Sequence, residues 1–153
     1  MLGCMFDTNI FNRILDGQID VKTLPNTEPF YVTHIQRNEI ENTKNAERRE
    51  ALLRTFHGIN HSQVPTESAY WGISEWGAAK WSADDGVIEG MIEKLNQKNK
   101  NKKNNGLDAL IGETAIKNEY TLVTDDNDLR EVVMEMGGTV IDFEEFLSKE
   151  KPT

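Results

Sequence analysis

Apolar positions along this chain fall into short blocks and helical stripes that alternate almost from end to end. Leu2, Cys4, Met5 and Phe6 form a mostly apolar run that Asp7 breaks at once. That pattern predicts the central strand of a parallel sheet, covered on both faces. Ile10, Phe11, Ile14 and Leu15 then mark one face of a helix stopped near Gly17. A loop follows from Leu24 to Pro29, and Phe30-Tyr31-Val32 reads as a short strand. Thr33 and Gln36 have the spacing of a capping box, so a helix should begin at His34 or Ile35, with Ile35 and Ile40 inward. A charged helix over residues 45–56 turns Leu52, Leu53 and Phe56 inward and ends at Gly58. Residues 61–64 form a strand stopped by Pro65.

Trp71, Trp76 and Trp81 recur every five residues, which rotates the side chain by about 140° per step and so defines no helical face. Core or dimer packing explains them better than stacking on nucleic acid bases. Ser82 and Asp85 make a second capping box, ahead of the stripe Val87, Ile88, Met91, Ile92 and Leu95. Residues 96–105 carry Lys98, Lys100, Lys102 and Lys103 among Asn and Gln, with no apolar residue. This predicts a mobile surface loop, either a solvated connection or a basic arm that contacts phosphates. Leu107, Leu110, Ile111, Thr114 and Ala115 fit a buried helix face with Asp108 in the first turn. Residues 121–124 are a strand running into Asp125-Asp126-Asn127-Asp128. Leu129, Val132, Val133 and Met136 give another helix, closed by Gly137-Gly138. Residues 139–141 are the last strand, and Asp142 with Glu145 caps a terminal helix.

This alternation predicts an α/β domain with a mainly parallel sheet. At 153 residues, with 37% hydrophobic positions, three Trp and six Phe, the chain is expected to form one domain, residues 1–153, around a real core. A lone Cys4 excludes an internal disulfide and a cysteine zinc cluster. No secretory signal and no run of roughly 18 apolar residues is visible, so the expected setting is cytoplasmic and reducing, with no membrane. A net charge of −9 counts against a nucleic acid partner, unless several acids share a site whose bound cations cancel them.

Right-handed crossovers gather helix starts on one edge of such a sheet, where open α/β folds bind ligands. Asp7, Asp126 and Asp128 belong there, and so do Glu39 and Asp108 if their helices begin at that edge. Three of these acids also have a purely structural use, and a lone helix glutamate such as Glu39 is usually solvated. Asp7 or Thr8 can N-cap the following helix, Asp108 suits a helix dipole, and Asp128 with Glu131 can form a capping box. Asp125 is expected to point outward, which makes Asp126 the first choice in its cluster and Asp128 the second. Four or five carboxylates on one edge repel unless a hard divalent cation such as Mg²⁺ or Mn²⁺ binds among them. Such ions activate water and hold a scissile phosphate. His34, His57 and His61 lack the spacing of a zinc motif.

Phe6-Asp7-Thr8-Asn9, Glu39, Asp108-Ala109-Leu110-Ile111 and residues 122–128 together resemble the four signature segments of PIN-domain nucleases, of which VapC toxins are compact members. The resemblance runs in the right order over nearly the whole chain. It implies a three-layer α/β/α sandwich and metal-dependent hydrolysis of phosphodiester bonds, usually in RNA. Carried over by position, Asp7, Glu39, Asp108 and Asp126 would bind Mg²⁺ or Mn²⁺, with Asn9, Thr124 and Asp128 in support. It also implies an RNA substrate, a small antitoxin partner and a homodimer. The sequence departs from the family at Gly112-Glu113, where small residues such as Ala-Ala are usual, and at Leu129 in place of an aromatic. The alternative is a PIN-fold module that binds RNA or protein without catalysis. A haloacid-dehalogenase-like phosphatase would need an Asp where Asn9 stands, and a response-regulator receiver would need a Lys after a late strand.

Overall fold

The strand that the apolar run predicts is β1, Cys4–Phe6, and it lies at the centre of the sheet. The computed structural model describes residues 3–24, 30–59, 61–66, 86–100 and 105–148. In chain order, β1 is followed by α1 (Thr8–Asp16), β2 (Phe30–Val32), α2 (His34–Glu41), α3 (Ala46–Gly58) and β3 (His61–Gln63). Then come α4 (Val87–Asn99), α5 (Asn105–Lys117), β4 (Thr121–Val123), α6 (Asn127–Glu135), β5 (Thr139–Ile141) and α7 (Phe143–Leu147). The strands stand in the order β3-β2-β1-β4-β5, and every pairing is parallel.

Successive residues of β1 feed opposite layers, as strand geometry requires. Phe6 meets Phe11, Phe30 and Phe146 in the apolar cluster on the side of α1, α3 and α7, and Phe56 joins that cluster through Phe11. Met5 packs with Met91, Leu110, Leu122, Leu129 and Val132 on the side of α4, α5 and α6. The result is the three-layer α/β/α sandwich with a parallel sheet. Gly112 permits close packing of the second layer, because a Cβ there would stand 2.6 Å from Met91 Cε and 3.2 Å from Val133 Cγ2. Glu113 is fully buried and its carboxylate meets Lys117 Nζ at 3.1 Å.

Local signals set most boundaries. Thr33 and Gln36 form their capping box and α2 starts at His34; Asp142 and Glu145 do the same for α7. The expectation of a loop over 96–105 needs correction at both ends. α4 runs on to Asn99 and α5 already starts at Asn105. Polar bonds hold that last turn: Asn105 Nδ2 donates to Asn96 Oδ1 (2.7 Å) and Asn99 Oδ1 (2.8 Å), and Lys98 pairs with Glu131 and Glu135 of α6. Hydrophobic periodicity carries no trace of such contacts. Among the described residues no helix is long and apolar enough to cross a membrane. Trp71, Trp76, Trp81, the Ser82–Asp85 box, Lys102 and Lys103 lie outside the described residues.

The parallel topology sorts the helix ends. α1, α2, α6 and α7 begin directly after strands, at their carboxyl ends. α5 leads into β4 through Asn118, Glu119 and Tyr120 alone, so it runs back along the sheet. Its first turn, with Asp108, therefore starts at that same edge.

Candidate functional site

The edge is built around Asp7, buried to 5% exposure. Its backbone N–H continues the sheet by donating to Val123 O at 3.0 Å. Its carboxylate is shared between two jobs. Oδ1 accepts from Thr8 N at 2.8 Å, which makes Asp7 the N-cap of α1. Oδ2 accepts from Thr124 Oγ1 at 2.7 Å and from Asn9 Nδ2 at 3.3 Å. The capping use and the site use thus coexist in one side chain.

Thr124, fully buried at the end of β4, is the hub. Besides donating to Asp7, its Oγ1 accepts from Asn9 Nδ2 (3.3 Å) and from Asp126 N (3.1 Å). Asn9 Oδ1 accepts from Asp125 N at 3.4 Å. Asp126 in turn N-caps α6, its Oδ1 taking Asp128 N at 3.0 Å and Leu129 N at 3.2 Å. The capping role therefore falls to Asp126, and Asp128 sits partly buried in the first turn of α6. Asp7, Asn9, Thr124 and Asp126 form one hydrogen-bonded group.

Glu39 joins from α2. Its Oε1 accepts from Thr8 Oγ1 at 3.0 Å. Burial, and then the negative charge of Asp7, push its carboxyl up to about 7, against a weaker downward pull from the Thr8 hydroxyl. Burial alone raises a carboxyl, and the nearby Asp7 charge adds to it. Asp108 is partly buried in the first turn of α5. Among the described residues, no three carboxylate, imidazole or thiol side chains are grouped so that they could hold a metal ion as they stand. The close contacts are those of the Thr124 hub and of Thr8, whose amide bonds Asp7 and whose hydroxyl bonds Glu39.

Two expectations about neighbouring residues change. Asp125 does not point outward: it pairs with Arg13 at 3.1 Å and accepts from Phe143 N at 3.1 Å, tying α1 to α7. The Arg13 guanidinium also lies 5.5 Å from the centre of the Phe143 ring. Of the lysines, Lys98 is engaged on α6 and Lys100 closes α4 in the left-handed conformation, φ 58°. Sequence reasoning passed over Thr8 as a site residue and saw Gln36 only as a cap. Gln36 Nε2 donates to Phe6 O at 3.0 Å. The signal for Thr8 was its place inside Asp7-Thr8-Asn9; for Gln36 there was none, because the contact spans two strands.

The donor set is carboxylate, amide and hydroxyl oxygen, the chemistry that suits Mg²⁺ or Mn²⁺. A cation beside Asp7 and Glu39 would offset both the burial and the Asp7 charge that hold Glu39 up. The residues suit such an ion in donor chemistry and charge, while their present positions bring no three of the acids together around one point.

No family model matches the sequence, and no curated protein matches it either. Among solved structures, the chain is similar to one from the crystal structure of VapBC2 from Rickettsia felis bound to a DNA fragment from their promoter. The TM-score is 0.58 at 18% identity, covering 92% of this chain and 98% of that one. A chain of FitAcB from Neisseria gonorrhoeae superposes with a TM-score of 0.41 at 13% identity, covering 90% and 96%. What this chain shares with the Rickettsia felis structure is its α/β fold.

Proposed function

We propose that this chain is a Mg²⁺- or Mn²⁺-dependent endoribonuclease of the PIN type, acting as the toxin of a toxin–antitoxin pair. The observation that carries the reading is the hydrogen-bonded carboxyl edge, where Thr8 bonds both Asp7 and Glu39 and Thr124 joins Asp7 to the N-capping Asp126. Asp7, Glu39, Asp108 and Asp126 would hold the ion, with Asn9, Thr124 and Asp128 in support. When bound, the ion would lower the pKa of a water and neutralise the scissile phosphate. The chain's own contribution is orientation. Three donors fix the Asp7 carboxylate, two backbone amides fix Asp126, and the Thr8 hydroxyl holds Glu39. Little side-chain freedom is then left to lose when substrate binds. The VapBC2 likeness in fold supports a small protein partner of the antitoxin kind.

The test is cleavage of single-stranded and structured RNA by purified protein, with Mn²⁺ and with EDTA. Cleavage is expected with Mn²⁺ alone, and Asp7→Asn should reduce it by a hundredfold or more, on the order of a lost metal ligand or transition-state contact. Metal-independent cleavage, or full activity in Asp7→Asn, would refute the site. RNA binding without cleavage would point instead to a binding module on the same fold.

A further inference from the structure

We propose that Gln36 is a positioning residue that clamps the strand end bearing Asp7 to the helix bearing Glu39. The inference deepens the reading above and rests on it for its functional meaning, but the clamp itself is read from geometry. On the β4 side, β1 is paired through Cys4, Met5 and Phe6, and Asp7 N–H adds one more bond to Val123 O. On the β2 side the register is the single pair Met5–Tyr31. Backbone groups of successive strand residues turn to opposite neighbours. The Phe6 carbonyl thus faces β2 beyond the end of that ladder, in a fully buried position.

Gln36 fills the gap. It is fully buried, its Nε2 donates to Phe6 O at 3.0 Å, and its Oε1 accepts from Thr33 N at 2.9 Å and from Thr33 Oγ1. One planar amide therefore fixes three things: the last carbonyl before Asp7, the β2–α2 elbow at Thr33, and the first turn of α2. Glu39 lies three residues further along the same helix. A carboxamide suits this at any pH, because it offers a donor at one end and an acceptor at the other, whereas an ionised carboxylate only accepts. Capping alone would be met equally well by Glu.

The test compares Gln36→Met and Gln36→Glu with Phe56→Leu, a core change where α3 ends, toward the strands' amino ends, which serves as a stability control. Amide hydrogen exchange by NMR is read first, without metal. In both Gln36 variants, Asp7 and Thr8 amides should exchange about tenfold faster relative to Leu122 and Val123, while Phe56→Leu leaves that ratio unchanged. Mn²⁺ titration is read second, and the Gln36 variants should bind roughly tenfold more weakly or worse, as loss of an outer-shell partner does. Unchanged relative exchange at Asp7 and Thr8 would overturn the clamp. If exchange changes as expected but the unmodified chain binds no Mn²⁺, the clamp stands and the nuclease reading falls.

Discussion

Replacing Glu39 by Gln separates the effects of charge and shape at the site. Gln keeps the acceptor that Thr8 Oγ1 uses and copies the neutral acid, but it cannot ionise. In the folded chain the Glu39 carboxyl is pushed up to about 7, from an ordinary value of 4.5, by burial and by Asp7. The folded state therefore binds this proton more tightly than the unfolded state. The stability it contributes is fully present below about pH 4.5 and is lost as the pH rises through about 7. One pKa unit corresponds to about 1.4 kcal/mol, so the loss by pH 8 is at most about 3.5 kcal/mol for this partly buried group. For a chain of this size that corresponds to at most roughly 7–14 °C in melting temperature. Thermal melts in EDTA at pH 4.5 and pH 8 provide the assay. Glu39→Gln should match the unmodified chain at pH 4.5 and melt higher at pH 8. Added Mn²⁺ should then raise the melting temperature of the unmodified chain at pH 8 far more than that of the variant. A difference between the two chains that is the same at both pH values would refute the argument, since only ionisation of Glu39 makes it depend on pH.

Two further outcomes follow from the same geometry. Thr124→Val removes the donor to Asp7 and the acceptor for Asn9 and Asp126 N while keeping the volume. It should cost about 1–3 kcal/mol in denaturant unfolding and weaken Mn²⁺ binding by about 10–100-fold in calorimetry; unchanged Mn²⁺ affinity would remove Thr124 from the site. Lys98 is held by hydrogen bonds to Glu131 and Glu135, which raise its pKa. In RNA-binding titrations, Lys98→Ala should leave the salt slope unchanged, while Ala at Lys100, Lys102 and Lys103 together should flatten it by up to about three units. A flattened slope in Lys98→Ala would show that this lysine leaves α6 for phosphate.

What could be read in advance depends on how local the physics is. The apolar run before Asp7, the Thr33–Gln36 box and the Asp142–Glu145 box are short-range patterns, and each appears in the fold as the sequence implies. Asp125 was misjudged because its partners lie 112 and 18 residues away, at Arg13 and Phe143; only the parallel sheet brings them together. Helix α4 extends past its last apolar residue because asparagine amides and Lys98 hold its end. Between Asp126 and Asp128 both capping arrangements obey the same rule, and the Thr124 hydroxyl, bonded to Asp126 N, goes with the first. That Asp7, Asp126 and the start of α5 share the carboxyl edge of the sheet was legible, whereas no cluster of three acids is formed among the described residues. The supports of the site, Thr8 and Gln36, were not legible, since each acts across a strand boundary.

The most direct measurement is an anomalous difference map from crystals of this chain soaked in Mn²⁺. The account predicts a peak at the carboxyl edge of the sheet beside Asp7, Glu39 and Asp126, and no such peak in Asp7→Asn. An empty edge at saturating Mn²⁺, or a peak elsewhere that persists in Asp7→Asn, would contradict it.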